Sequence, residues 1–298
     1  MVSTAPTVSV VIPHYGDPAP TLALVARLTS RPPHQVIVSD DSSPHQFPAT
    51  DGVVVVRRDT NGGFGAAVNT GAAVATGDLL LVLNSDLEVS DDFVAKLVSS
   101  AVPLQPAVVA PRVLDHAGQV TFSARCWPTT VNQSVEWLTP LARWRDRPWL
   151  RRLLGHDLRV ITATTPVHVN WLVGAAFMVP LADFRAVGGL DERFFMNSEE
   201  IDLQRRLAAH GLPRVYLPAV SVTHAGGGSS DPAMRRRWLV RAQVRYAEKW
   251  GGARRLRVAL TAATAANLIW NCVRALRGVD VAPLSKARDE LVLIWRAS

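Results

Sequence analysis

Short apolar runs recur along the first two thirds of the chain, each too short for a free-standing helix and each ending in polar residues. Val8–Ile12, Gln35–Ser39, Val53–Val56 and Leu79–Leu83 have the length and β-branched or leucine-rich character of strands, the last suited to burial on both faces. Helix-compatible stretches lie between them, at 18–30 and from Ala66 onward. This alternation predicts an α/β fold. Val169–Val179 and Val215–Val222 predict further strands, the second interrupted by Pro218, and Ser198 is placed to cap a helix with Ile201, Leu203 and Leu207 as its apolar stripe. Between 103 and 165 the pattern loses regularity, which predicts a mobile or acceptor-facing insertion containing the Trp- and Arg-rich piece Trp137–Arg152.

The polar residues at the strand ends carry the candidate chemistry, because open α/β sheets bind ligands beyond the carboxyl ends of their strands. Asn84-Ser85-Asp86 follows the Leu79–Leu83 run. Its oxygens suit a hard divalent cation, although the same residues make good turns. Asp40-Asp41 ends the second strand, where either carboxylate can accept from a bound base or sugar or cap the next helix. Asn61-Gly62-Gly63-Phe64-Gly65 precedes a helix of small residues, so its backbone N–H groups could face a phosphate or sugar. Glu199, Glu200 and Asp202 crowd one helical turn. Favourable interaction with a helix N-terminus explains one or two of them but not three. His224 stands before the glycine-rich stretch 225–230, a loop that could fold over a ligand.

Composition narrows the setting. With 298 residues and 48% hydrophobic content the chain can bury a large core. Cys126 and Cys272 lie far apart without metal-ligand spacing, which favours a reducing compartment and predicts that they are packing residues. No basic, apolar leader is evident at the N-terminus, so a cytoplasmic setting is expected. The net charge of +7 is concentrated in the tail, where residues 231–298 hold 14 Lys or Arg against 5 Asp or Glu. There a helix is predicted over Pro232–Trp250, with Arg237, Arg241, Arg245 and Lys249 as a basic stripe. Such a tail suits an anionic membrane surface, or a solvated face packed on the rest of the protein. The uncharged run between Arg257 and Arg274 is interrupted by Asn267 and Asn271 and is expected not to span a bilayer.

In order, Val8–Pro13, Val38–Ser43, Asn61–Asn69, Leu83–Asp86, Trp171–Gly174, Gly188–Phe195 and Glu199–Leu203 resemble the family 2 glycosyltransferases of GT-A fold, in particular the bacterial rhamnosyltransferase-like group. The resemblance runs from about residue 7 to 230. It implies a GT-A domain over 1–230, with a nucleotide-sugar half to about 102 and an acceptor half beyond it, and a basic helical extension over 231–298. It also implies inverting sugar transfer from a UDP- or dTDP-linked donor, a divalent metal such as Mn²⁺ or Mg²⁺, a glycan or lipid-linked acceptor, and no nucleic-acid partner. By the same likeness Pro13, Tyr15, Asp40, Asn61, Gly65, Asn69, Asp78, Asn84 and Trp171 belong to the donor and acceptor sites. Asp86 and His224 would hold the metal, and Glu200 would act as base, with Glu199 or Asp202 as substitutes.

Two positions depart from the family pattern. Glu200 stands where an Asp is common, adding one methylene to the base, and Asn84 stands where many relatives carry Asp, which leaves Asp86 as the main ionic ligand. The same chemistry on a soluble natural-product or carrier-protein-bound acceptor, a nucleotidyltransferase and a catalytically silent sugar-nucleotide binder are the competing readings.

Overall fold

The computed structural model describes residues 6–30, 35–224 and 231–296. Its eleven strands are β1 (Val8–His14), β2 (Gln35–Asp40), β3 (Val54–Arg57), β4 (Leu79–Leu83), β5 (Leu87–Glu88), β6 (Val108–Leu114), β7 (Ala124–Arg125), β8 (Val167–His168), β9 (Trp171–Leu172), β10 (Ala176–Pro180) and β11 (Arg214–His224). Nine form one sheet in the order β3-β2-β1-β4-β10-β6-β11-β5, with β8 paired to β11 off this path. Strands β1 to β4 are mutually parallel, and β10 enters antiparallel between β4 and β6. The small ladder β7–β9 is separate.

Helices α1 (Pro18–Ser30), α2 (Phe64–Ala73), α3 (Phe93–Ala101), α6 (Arg159–Thr162), α7 (Leu181–Ala186) and α8 (Glu199–Ala209) complete the first of two compact units, Met1–Arg125 with Arg159–Gly228. The pleat of β4 explains its sequence. Leu79, Leu81 and Leu83 join a core layer with Leu24 and Leu28 of α1 and Phe93 and Leu97 of α3, while Leu80 and Val82 join the opposite layer with Val68 of α2 and Leu203 of α8. Burial on both faces is why the strand carries no polar residue.

The second unit is Cys126–Leu158 with Ser229–Ser298. It comprises α4 (Thr130–Trp137), α5 (Pro148–Leu153), α9 (Pro232–Trp250), α10 (Ala253–Leu276) and α11 (Pro283–Trp295). Residues 126–158 therefore group with the tail. Trp137 donates through Nε1 to Thr264 Oγ1 at 2.8 Å, Asn267 accepts from Thr139 N at 2.8 Å, and the Arg236 guanidinium lies 4.4 Å from the Trp137 ring centre.

Three expectations are corrected. The stretch 103–165 is not an irregular insertion throughout, for it contains β6, a central strand disguised by Pro111. Proline is tolerated there because the ladder of β6 with β10 is registered only at Val109, so the missing N–H has no partner to leave unsatisfied. Cys126 and Cys272 are both exposed rather than packed inside. Ser198 takes the left-handed conformation (φ 68°) and makes no side-chain cap bond, so α8 starts without the expected cap.

Gly63, just before α2, is fixed by a close approach. A methyl group on Gly63 (φ 83°) would lie 1.8 Å from the Phe195 carbonyl oxygen, whereas Gly118 (φ 72°) has nothing within 4 Å of that position. Gly118→Ala should therefore cost only the left-handed penalty of about 1–2 kcal/mol. Gly63→Ala adds the overlap and should cost about 3 kcal/mol or more, read as the difference in denaturation free energy. Equal losses for the two variants would contradict the contact.

Candidate active site

At the carboxyl ends of β1 and β2, Pro13 is half-buried in its strand and Tyr15 stands 54% exposed beyond it. Asp40 is fully buried, accepting from Ser43 N at 2.8 Å, Phe47 N at 3.0 Å and the Arg57 guanidinium. Burial alone would raise its pKa, but these hydrogen bonds outweigh it and hold the carboxyl below its ordinary value. The expectation that Asp40 accepts from a bound base is thus corrected, because no surface of it faces solvent. Asp41, the other carboxylate at this strand end and one the family likeness gave no role, is also an internal brace. It accepts from Gly62 N at 2.9 Å and Gly63 N at 2.7 Å and pairs with Arg58 Nε at 2.9 Å.

Those bonds also correct the reading of the glycine run. The Gly62 and Gly63 amides serve Asp41, and Phe64 N donates to Phe195 O at 3.1 Å, so these donors do not form an open phosphate cradle. Asn61 is exposed, with Oδ1 accepting from Gly63 N at 3.2 Å. Gly65 leaves room for Leu190 and Glu199, whose Cβ atoms would lie 3.3 and 3.7 Å from an added methyl. Asn69 clips the chain beyond α7 in place by accepting from Leu190 N and donating to Leu190 O, at 2.9 and 2.8 Å. Asp78 is not at this edge at all. It precedes β4, accepts from Thr7 N at 2.8 Å, and is separated from Asn84 by the strand, a span of about 17 Å.

Beyond β4, Asn84 N donates to Ala175 O at 2.8 Å, while its side-chain Oδ1 is buried and has no hydrogen-bond partner among the described residues. The ladder of β5 with β11 pairs Leu87 with His224 and thereby brings His224 Nε2 to 3.1 Å from Asp86 Oδ1. The pair is a third exposed on each side. The hydrogen bond that Asp86 accepts from His224 raises the His224 pKa against the opposing effect of burial. Burial would raise Asp86, but the same bond and the His224 charge lower it. Among the described residues no group of three or more His, Cys, Asp or Glu is arranged to hold a metal. One carboxylate, one imidazole and a partnerless amide oxygen nearby nonetheless fit a divalent cation whose remaining ligands come from a substrate. The glycine-rich stretch after His224 lies outside the described residues.

Two left-handed residues, Asn197 (φ 72°) and Ser198, turn the chain into α8. Non-glycine residues in this conformation cost roughly 1–3 kcal/mol each and concentrate at functional sites. They deliver Glu199, 4% exposed, and Glu200, half-buried, each with an Oε2 atom that is buried and unpartnered among the described residues. Burial, with the neighbouring Glu200 charge, raises Glu199 well above the carboxylate range. Burial also raises Glu200, opposed by backbone hydrogen bonds and by the Arg125 charge. Gly174 makes space for Glu200, since a methyl there would come within 3.3 Å of its Cβ and Cγ. Asp202 is different. It is fully buried and paired to Arg206 Nε at 2.8 Å, so the structure corrects its candidacy as a substitute base.

Trp171 is 6% exposed, with the Arg125 guanidinium 5.8 Å from its ring centre. Gln204 fixes the next residue by accepting from Leu172 N at 2.8 Å and donating to Leu172 O at 2.7 Å. The sequence reading missed Arg125 and Gln204. Arg125 lies in a stretch without periodic signal, but Gln204, one turn after Glu200, could have been suspected as a polar residue on the helix's inward side.

Residues 9–160 match the model of the glycosyl transferase family 2, and the chain belongs to that family. Among curated relatives it is 29% identical over 232 residues to the N-acetylglucosaminyl-diphospho-decaprenol L-rhamnosyltransferase of Mycobacterium tuberculosis, covering 71% of this chain and 73% of that enzyme. It is 31% identical over 233 residues to the validoxylamine A glucosyltransferase of Streptomyces hygroscopicus subsp. limoneus, covering 71% of this chain and 50% of that enzyme. The solved mannosyltransferase PcManGT from Pyrobaculum calidifontis, in complex with GDP-Man and Mn²⁺, superposes with a TM-score of 0.55 at 15% identity, over 99% of this chain and 86% of that one. The fold is GT-A.

Because the Asp40 pKa is lowered on folding, its carboxylate adds stability above the unfolded value and loses it as pH falls through the folded one. Asp40→Asn should therefore be less stable than the parent at pH 7, with the gap steady to about pH 5 and closing below about pH 4. Denaturation midpoints across this range check it.

Proposed function

We propose that this glycosyltransferase moves a sugar, with inversion, from a UDP- or dTDP-linked donor to a hydroxyl of a polyprenyl-linked or other cell-envelope acceptor. The supporting observation is the junction at residues 174–175. Ala175 holds Asn84 beside the Asp86–His224 pair, and Gly174 opens the space that Glu200 fills, so the candidate metal and base positions are neighbours. In this reading Glu200 as carboxylate takes the proton of the acceptor hydroxyl while that oxygen bonds to the anomeric carbon. The bond from that carbon to the nucleoside diphosphate breaks on the opposite side, and the single displacement inverts the centre. Its raised pKa brings Glu200 nearer the working pH, where a general base is most effective. A divalent cation held by Asp86 and His224, with Asn84 beside it, would stabilise the negative charge on the departing diphosphate. Pro13, Tyr15, Asn61 and Gly65 would border the donor, and Trp171, steadied by Gln204 and Arg125, the acceptor.

The likeness to the decaprenol-linked rhamnosyltransferase supports a rhamnose-like donor and a lipid-linked acceptor. Placement at the inner face of the cell membrane belongs to the same reading, with the unit Met1–Arg125 and Arg159–Gly228 catalytic and the basic tail toward the lipid. The likeness to the validoxylamine glucosyltransferase favours a second reading, the same chemistry on a soluble acceptor.

Thermal stabilisation by a panel of UDP- and dTDP-sugars, with and without Mn²⁺ or Mg²⁺, tests the donor half. A metal-dependent shift should appear for one donor and be lost in Asp86→Ala. Glu200→Gln should keep that shift but lower turnover by about 10²–10⁴-fold. With the parent protein, turnover should fall as pH drops through the raised Glu200 pKa. Retained turnover in Glu200→Gln together with its loss in Glu199→Gln would move the base to Glu199.

A further inference from the structure

Helix α10, with 24 residues, is long and apolar enough to cross a membrane, and a third of its apolar stretch is buried. Its two faces are unlike. Asn267 and Asn271, both 1% exposed, point inward with Leu256, Leu260 and Thr264. Asn267 donates to Trp137 O at 2.9 Å and accepts from Thr139 N, so this polar side is committed within its own unit. The outward side is apolar. Val258, Ala262, Ala265, Ile269, Cys272 and Leu276 recur at helical spacing, and all are exposed, Ile269 by 68% and Leu276 by 89%. From Val258 to Leu276 this stripe runs about 27 Å.

Helix α11 packs against α10 and continues the feature. Leu284, Leu291 and Trp295 are exposed by 75%, 36% and 55% and share one side of that helix. Trp295 Nε1 donates to Thr261 Oγ1 at 3.2 Å, which joins the end of one stripe to the start of the other. Beside them, α9 and α11 border a groove of about 470 Å³ whose lining includes Arg237, Arg241, Lys286 and Arg296. None of these four side chains makes a hydrogen bond or ion pair with a described residue. The carboxylates there are Asp289 and Glu290, and Glu290 already accepts from Arg236 at 2.8 Å. Val292, 41% exposed, lines the groove from the same helix that carries the apolar stripe.

We propose that the α10–α11 hairpin is a membrane-docking face that lies in one leaflet of an anionic bilayer, its apolar stripes among the acyl chains and the α9–α11 groove on lipid phosphates. The inference deepens the membrane reading of the tail and extends the contact from the α9 stripe, whose Arg237 and Arg241 line the groove, to the hairpin. The inward asparagines explain why α10 lies on the membrane and does not cross it, since a crossing would strip them of their partners. Charge complementarity selects a lipid surface over a second copy of this chain, which would set one cationic groove against another.

The test uses the full chain and vesicles of phosphatidylcholine with or without 30% phosphatidylglycerol. The protein should sediment with the anionic vesicles, with partial loss in high salt. Ile269→Asp combined with Leu276→Asp, both surface positions, should lower the vesicle partition at least tenfold without changing the melting temperature. Lys286→Glu with Arg296→Glu should weaken binding and remove most of its salt dependence. An environment-sensitive dye on Cys272, with Cys126→Ser, should be quenched by bromolipids. The proposal is overturned if the parent stays in the supernatant, if the double-Asp variant sediments like the parent, if the dye is not quenched, or if the double-Asp change instead splits a dimer. Donor-induced stabilisation in the same samples reads the sugar-transfer proposal separately, so the two can fail independently.

Discussion

The meeting of Gly63 with the Phe195 carbonyl is the constraint on which the first unit depends. It presses the start of α2 against the turn that leads into α8, and no side chain fits between them. Asp41 holds the glycine side of the contact through two amides and Arg58, and the left-handed pair Asn197–Ser198 completes the other side. The glycine run before α2 and the acidic helix are thereby fixed to each other by backbone, which is stiffer than any side-chain contact. A site that must bring two substrates into line needs that stiffness, because small misplacements of reacting groups are costly.

The acidic helix then illustrates how neighbouring carboxylates can have different fates. Asp202 finds Arg206 one turn on and becomes a buried ion pair. Glu199 and Glu200 each keep one oxygen without a partner among the described residues, and their burial favours the protonated form. Arg125 tempers this for Glu200, so the environments distinguish the two adjacent residues although their side chains are identical.

Strand positions were legible where burial is two-sided, as in β4, because a strand packed on both faces needs every position apolar. Helices α1 and α9 also fell where their patterns placed them. The meeting of Asp86 with His224 was legible only through family likeness, since nothing in their spacing reveals that β11 will carry one to the other. The misreadings share a cause. Asp40, Asp78 and the glycine run are polar or small for internal reasons, and a sequence does not distinguish a carboxylate that braces a loop from one that awaits a ligand. Pro111 hid β6 in the same way, because which strand edges are paired is decided only by the assembled sheet.

The 138-residue separation of Asp86 from His224 also bears on how the protein is made. A chain growing from its N-terminus exposes Asp86 long before its partner exists, and the ladder that unites them needs the last strand of the sheet. Contacts of such sequence separation close late, after the local helices and the parallel strands around β1. The Asp86–His224 pair is thus complete only when the sheet is: a chain cut short before β11 can form the parallel strands around β1 yet leave Asp86 without its partner.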